Sequence, residues 1–169
     1  MKPKLIILSG LPFSGKSTIA KKLGDSLGIK VVSYDHDIYA KHKDEVPPGT
    51  SPAKEYEIIQ AIAREYLRSL LTEDESIIYD DLNLEKTDRQ LLLELAGQCN
   101  AKAHIIFVDT PLPIIEERRQ ANMKLPNRDH IGEEKMQLNI SLLQKPSKDE
   151  NAIYFKPGDS VEELLRMVR

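Results

Sequence analysis

The segment Gly10-Leu11-Pro12-Phe13-Ser14-Gly15-Lys16-Ser17 is a complete G-x-x-x-x-G-K-S, and it follows directly on the apolar run Leu5-Ile6-Ile7-Leu8. That placement restricts the local fold to a buried strand, a tight loop and a helix. The loop's backbone N–H groups then point inward at an anion, with the positive end of the next helix behind them. The spacing assigns the amine of Lys16 to the β- and γ-phosphates of a nucleoside triphosphate and the hydroxyl of Ser17 to Mg²⁺. Thr18 adds a further contact to the phosphate chain, while Gly10, Leu11, Pro12, Phe13, Ser14 and Gly15 form the cradle.

At 169 residues the chain suits one well-buried core, so a single domain over residues 1–169 is expected. A formal charge of −3 does not supply the broad basic surface that a long nucleic acid requires, though a local positive groove still admits a short strand end. The single cysteine, Cys99, cannot close an internal disulfide and fits a reducing cytoplasm. Met1-Lys2-Pro3-Lys4 imitates the start of a signal peptide, but the apolar run stops at Ser9-Gly10, too soon for one. No other segment is suited to span a bilayer, so no membrane partner is expected.

Short apolar runs alternate with segments of helical period, the pattern of an α/β fold with a parallel sheet and helices on both faces. Five strands are predicted: Lys4 to Leu8, Lys30 to Ser33, Ser76 to Asp80, Ala103 to Asp109, and Asn151 to Phe155. Ile19, Leu23 and Leu27 form the apolar stripe of the first helix, which Gly28 ends. Ile59, Ala63, Leu67 and Leu70 predict a long amphipathic helix over Ala53 to Leu71, and Leu91, Leu92 and Leu95 another after Leu84. Pro111 and Pro113 suit the first turn of a helix to about Asn122, Met136, Ile140 and Leu143 mark a further one, and Ser160-Val161-Glu162-Glu163 reads as a capping box. Asp44 to Pro52 and Met123 to Gly132 resist regular structure; each is a candidate lid or a plain surface connector.

In a parallel sheet the ligand crevice lies beyond the carboxyl ends of the strands, where the phosphate loop also sits. Asp35 and Asp37 follow the second strand there. Asp35 is assigned the base that accepts a hydroxyl proton as that oxygen attacks the γ-phosphate, and Asp37 the cap of the next helix. Asp80 and Asp109 each end an apolar strand, as a residue orienting Mg²⁺ does; Asp80 is preferred, because Asp109 precedes Thr110-Pro111 and has a capping role open to it. Arg118, Arg119 and Arg128 are candidates for stabilising charge on the transferred group. Arg118 and Arg119 point about 100° apart on a helix, so one faces the phosphates and the other is assigned to the surface. The histidines show no metal-ligand spacing.

With these residues in place the chain resembles the small P-loop kinases of the polynucleotide-kinase and zeta-toxin type, over nearly its whole length. Gly10 to Thr18 resembles that family's phosphate loop, with Phe13 where a small residue, usually glycine, is common. Ser33-Tyr34-Asp35 is similar to the Ser-x-Asp segment that supplies the substrate-activating aspartate, with Asp37 as competitor. Ile77 to Leu84 is similar to the strand ending in Asp-x-Thr-Asn, which implies a metal role for Asp80 and an acceptor contact for Asn83. Ile115-Glu116-Glu117-Arg118 matches the arginine that opens the lid, with Asn122 where a second arginine often stands, and Lys156-Pro157-Gly158 is implied to lie near the adenine. The resemblance implies a P-loop NTPase fold with strand order 2-3-1-4-5 and an arginine-bearing lid.

The expected activity is transfer of the γ-phosphate of ATP, with Mg²⁺, to a hydroxyl of a small molecule or nucleotide. Two alternatives stand beside it. One is a polynucleotide 5′-hydroxyl kinase; the other is an ATP-binding module or slow NTPase, against which the acceptor aspartate and the absence of a guanine-reading Asn-Lys-x-Asp both speak.

Overall fold

In the first strand, side-chain alternation alone demands two helical layers. Leu5 and Ile7 point to one face of the sheet, Ile6 and Leu8 to the other, and none of the four meets solvent. The computed structural model describes residues 2–169. In chain order it contains β1 (Lys4–Ser9), α1 (Lys16–Leu27), β2 (Lys30–Ser33), a π-helical turn (Tyr34–Tyr39) running into α2 (Ala40–His42) and a 3₁₀ turn (Lys43–Glu45), α3 (Pro52–Thr72), β3 (Ile77–Asp80), α4 (Lys86–Gln98), β4 (Lys102–Val108), α5 (Leu112–Met123), α6 (Glu133–Leu142), a second 3₁₀ turn (Lys148–Glu150), β5 (Ile153–Phe155) and α7 (Val161–Val168).

All strand pairings are parallel, in the order β2-β3-β1-β4-β5 that was expected. The Leu5 face packs against Ile59, Ala63 and Leu67 of α3 and Leu92 and Leu95 of α4. The Ile6 face packs against Ile19 and Leu23 of α1 and Leu164 and Val168 of α7. A third, smaller apolar cluster lies outside the sheet. It joins Leu11 of the phosphate loop to Leu84, to Ile115 of α5 and to Met136 of α6. No helix among the described residues is long and apolar enough to cross a membrane.

Differences from the sequence expectation are local and have causes. β5 begins at Ile153 rather than Asn151, because Asn151 closes the preceding 3₁₀ turn in the left-handed region, at φ 49°. Leu91 leaves the predicted stripe and is 43 % exposed, since only Leu92 and Leu95 face the sheet. At α7, Ser160 accepts from Glu163 N, but its hydroxyl turns to Glu162, so the return half of the box is missing. The reciprocal box occurs instead at Ser147 and Glu150.

Gly28 ends α1 with φ 65°, its N–H on the Gly24 carbonyl. Gly24 is glycine for want of room: a Cβ there would stand 2.8 Å from Val31 Cγ2 of β2, so the last turn of α1 packs closely on the side chains of the sheet.

Candidate active site

The phosphate loop is wound before any ligand is considered. Gly10 N donates to the Leu82 carbonyl at 3.0 Å and Ser14 N to the Leu11 carbonyl at 3.2 Å. Thr110 Oγ1 donates to the Ser14 carbonyl at 2.7 Å, and Lys16 Nζ to the Leu11 carbonyl at 2.8 Å. Gly10 takes φ 147°, and a Cβ would lie 2.9 Å from the Val108 carbonyl oxygen, which excludes any side chain. Phe13 occupies the left-handed region at φ 62°, a conformation that explains glycine's frequency here. Its ring packs against the third apolar cluster, which offsets the backbone strain. Helix α1 starts at Gly15 with no side-chain cap, leaving its first N–H groups directed at the loop's interior. The hydroxyl of Ser14 is buried there without a hydrogen-bond partner.

Four acceptors and donors of charge meet at the carboxyl ends of β1, β3 and β2. Burial lowers the Lys16 ammonium to about 8, opposed by Asp80, Asp81 and Asp35, which all lie within electrostatic reach. Burial raises the Asp80 carboxyl, while the Ser17 hydroxyl and Lys16 draw it back down. Asp35 is exposed on the π-helical turn, whose wide Ala40 N to Asp35 O bond sets this segment apart from an ordinary helix start. Asp37 is engaged otherwise: one oxygen accepts from Ser33 N at 2.9 Å and the other pairs with Lys41 at 3.4 Å. The cap expected of Asp37 is therefore shared, because Ser33 is the N-cap residue and Asp37 reaches back to its N–H. Asp109 neither caps α5 nor joins this group; it pairs with Lys145 at 2.8 Å.

Asn83 lies beneath the phosphate loop. It is 1 % exposed, and its amide donates to the Leu8 carbonyl at 2.7 Å while its own carbonyl accepts from Ser9. These bonds bind the turn after β3 to β1, beneath the loop. Asp81, which sequence reasoning passed over, is buried beside it. Its Oδ2 accepts from Gln60 at 2.8 Å and Tyr79 at 3.2 Å, its Oδ1 from Leu82 N at 2.7 Å. Burial nevertheless pushes its carboxyl up to about 6. The Asp80-Asp81 doublet was the available signal, but only α3 arriving overhead shows that the second carboxylate is enclosed.

The arginines divide as the helix geometry requires. Arg118 Nη1 donates to the carbonyls of Phe13 and Ser14 at 3.0 and 3.1 Å, so it reaches the phosphate loop. Arg119 is not on the surface as expected. It is 4 % exposed, pairing with Glu116 and with Glu133 at the start of α6 and donating to the Ile131 carbonyl. Arg128 stands exposed on the loop 124–132 and is not joined to the phosphate loop. Asn122 closes that loop through the Asp129 carbonyl at 3.0 Å. Lys156 to Asp159 form a tight turn after β5.

A divalent cation fits this donor set. Ser17 and Asp80 offer two oxygens side by side, one on a carboxylate whose charged form burial disfavours and a cation would favour. Among the described residues there is no cluster of three His, Cys, Asp or Glu side chains able to hold a metal alone.

A family model described as an AAA domain matches residues 5–142. L-seryl-tRNA(Sec) kinase of Methanococcus maripaludis is 29 % identical over 133 residues, 73 % of this chain and 48 % of that protein. The chain thus spans about half the length of that curated relative. Chaetomium thermophilum Kti12, solved in complex with ADP-AlF3, superimposes with a TM-score of 0.76 at 18 % identity, covering 97 % of this chain and 94 % of its own. Mycobacterium tuberculosis APS kinase CysC, in complex with AMPPNP and APS, gives 0.72 at 20 % identity, covering 99 % and 95 %. These likenesses establish a shared fold.

Proposed function

The chain belongs to the AAA domain family, and from that premise we propose that it is a phosphotransferase moving the γ-phosphate of ATP to an alcohol. The reading is carried by one observation: Lys16, Ser17, Asp80 and Asp35 converge at one edge of the sheet. The fold shared with Kti12 and APS kinase, described with ADP-AlF3 and AMPPNP, supports nucleotide as the occupant of the loop.

In this reading the amides of residues 10–17 and the ammonium of Lys16 hold the triphosphate. Lys16 exchanges the Leu11 carbonyl for phosphate oxygen. Ser17 and Asp80 are the residues that would hold Mg²⁺, which when bound offsets charge on the phosphate oxygens. Asp35 orients the acceptor hydroxyl and takes its proton. The alcohol oxygen forms a bond to the γ-phosphorus as the bond to the β,γ-bridging oxygen breaks, and ADP leaves with that electron pair. Arg118 touches the loop through the Phe13 and Ser14 carbonyls, which supports for it the task of meeting charge developing on the transferred group.

A screen of alcohols with γ-labelled ATP tests this, with phosphorylated product expected in step with ADP. Hydrolysis with no phosphorylated alcohol would support the ATPase-module reading instead. Asp35→Asn should reduce transfer by about 10² to 10⁴ while ATP affinity stays nearly intact; a loss of only a few-fold rejects the base. A nucleic-acid-linked acceptor is the second reading, favoured by the relative named for a tRNA substrate.

A further inference from the structure

Beside Asp35, on the π-helical turn and the helix above it, three tyrosines stand together. Tyr34 and Tyr39 come from the π-helical turn, with ring centroids 6.3 Å apart and planes 26° from parallel. Tyr56 of α3 lies 6.5 Å from Tyr34 at 52°. Two carboxylates back these rings. Glu55 accepts from the Tyr39 hydroxyl at 3.1 Å, and Asp81 lies close to both Tyr34 and Tyr56. Neither carboxylate, nor that of Asp35, forms an ion pair among the described residues.

The basic side chains nearest in sequence are mostly engaged elsewhere. Lys41 pairs with Asp37, His42 with Glu45 and Lys54 with Glu57. Lys43 is exposed at the start of the 3₁₀ turn, His36 lies toward Asp80, Arg64 acts on Asp88 beside Tyr56, and Lys16 alone faces Asp80, Asp81 and Asp35 together. Burial and the neighbouring acids push the phenols of Tyr34 and Tyr56 up, so both rings stay neutral in ordinary buffers. Aromatic faces are regions of negative potential, and with carboxylates behind them that outnumber the single nearby ammonium of Lys16 they attract an ammonium group. An anionic acceptor meets repulsion from Asp35, Asp81 and Glu55.

We infer that the acceptor is an amino alcohol, its positively charged nitrogen held by Tyr34, Tyr39 and Tyr56 in front of Glu55 and Asp81, with its hydroxyl turned to Asp35. The inference rests on the phosphotransfer reading for the hydroxyl, but the nitrogen site is separately measurable.

The experiment is calorimetry on the protein saturated with a non-hydrolysable ATP analogue, using three pairs of probes. These are choline against the alcohol with carbon in place of its nitrogen, serinol against glycerol, and glucosamine against glucose. In at least one pair the ammonium member should bind about tenfold tighter. Tyr34→Phe should keep that preference and Tyr34→Leu should remove it. Tyr56→Leu, at a more exposed position, should weaken it with ATP-analogue binding unchanged. Equal affinity in all three pairs, or no binding by any ammonium member, overturns the inference. Phosphorylation of neutral alcohols without ammonium preference overturns it while leaving phosphotransfer standing. Ammonium binding without transfer to any alcohol does the reverse.

Discussion

Adjacent arginines on α5 show what a single helical step does. Arg118 meets the loop carbonyls, while Arg119 is buried among Glu116, Glu133 and the Ile131 carbonyl. An arginine acting on the transition state contributes about 10³ or more in rate, so Arg118→Ala should reduce turnover far more than ATP affinity in steady-state assays. Weakened binding with normal turnover would make it a binding contact. His104 on β4 carries a separate expectation. Burial, then Lys102 and Lys4, hold its imidazole below the usual range, and its Nε2 is buried without a partner. A depressed imidazole leaves the unfolded chain binding more protons, so stability is retained above about pH 6.5 and lost as pH falls toward the folded-state value. His104→Leu should therefore narrow the stability difference between about pH 7.5 and about pH 5.5 in urea melts; an unchanged difference rejects the assignment. At this scale the strand-loop-helix form around residues 10–17 was legible, because its pattern is local in sequence. The buried position of Arg119 was not, since its partner Glu133 is fourteen positions away across an irregular loop.

Elements were legible where periodicity was long. α3 was predicted to within a residue at each end, and Ser51 caps it through Lys54 N. The π-helical turn was not, because no short pattern distinguishes an i to i+5 bond from an ordinary helix start. Nor was the tie between α4 and the second 3₁₀ turn, where Arg89 and Glu150 pair at 2.7 Å with their side chains 0 % and 2 % exposed. Arg89 also donates to the carbonyls of Asn83 and Leu84, so it holds the turn that follows Asp80 and Asp81. Removing one partner of such a pair leaves a buried charge, which costs about 3–5 kcal/mol. Arg89→Met should lower stability by that order in urea unfolding, with Glu150→Gln added on top restoring part of it. A loss below about 1 kcal/mol would mean that solvent reaches the pair.

For the whole molecule, strand order followed from the resemblance, since periodicity gives strands but not their neighbours. With β1 flanked by β3 and β4, topology alone leaves Asp80 and Asp109 equivalent, and the capping role open to Asp109 made Asp80 the sequence choice; in the fold Asp109 pairs with Lys145 while Asp80 lies by Ser17. Net charge bears on the choice of acceptor. With a formal charge of −3, transfer to a small alcohol should change little between about 50 and about 200 mM salt, whereas transfer to an oligonucleotide end should fall steeply. Initial rates on both acceptors across that range decide between them. The last consequence comes from the bonds that brace residues 10–16, to Leu82, to Thr110 and from Lys16 to Leu11. A receptor already holding its shape has little chain disorder to surrender on capture. Association should therefore be rapid and only weakly dependent on viscogens that slow loop closure, with residence time governed by how readily the lysine returns to its resting carbonyl.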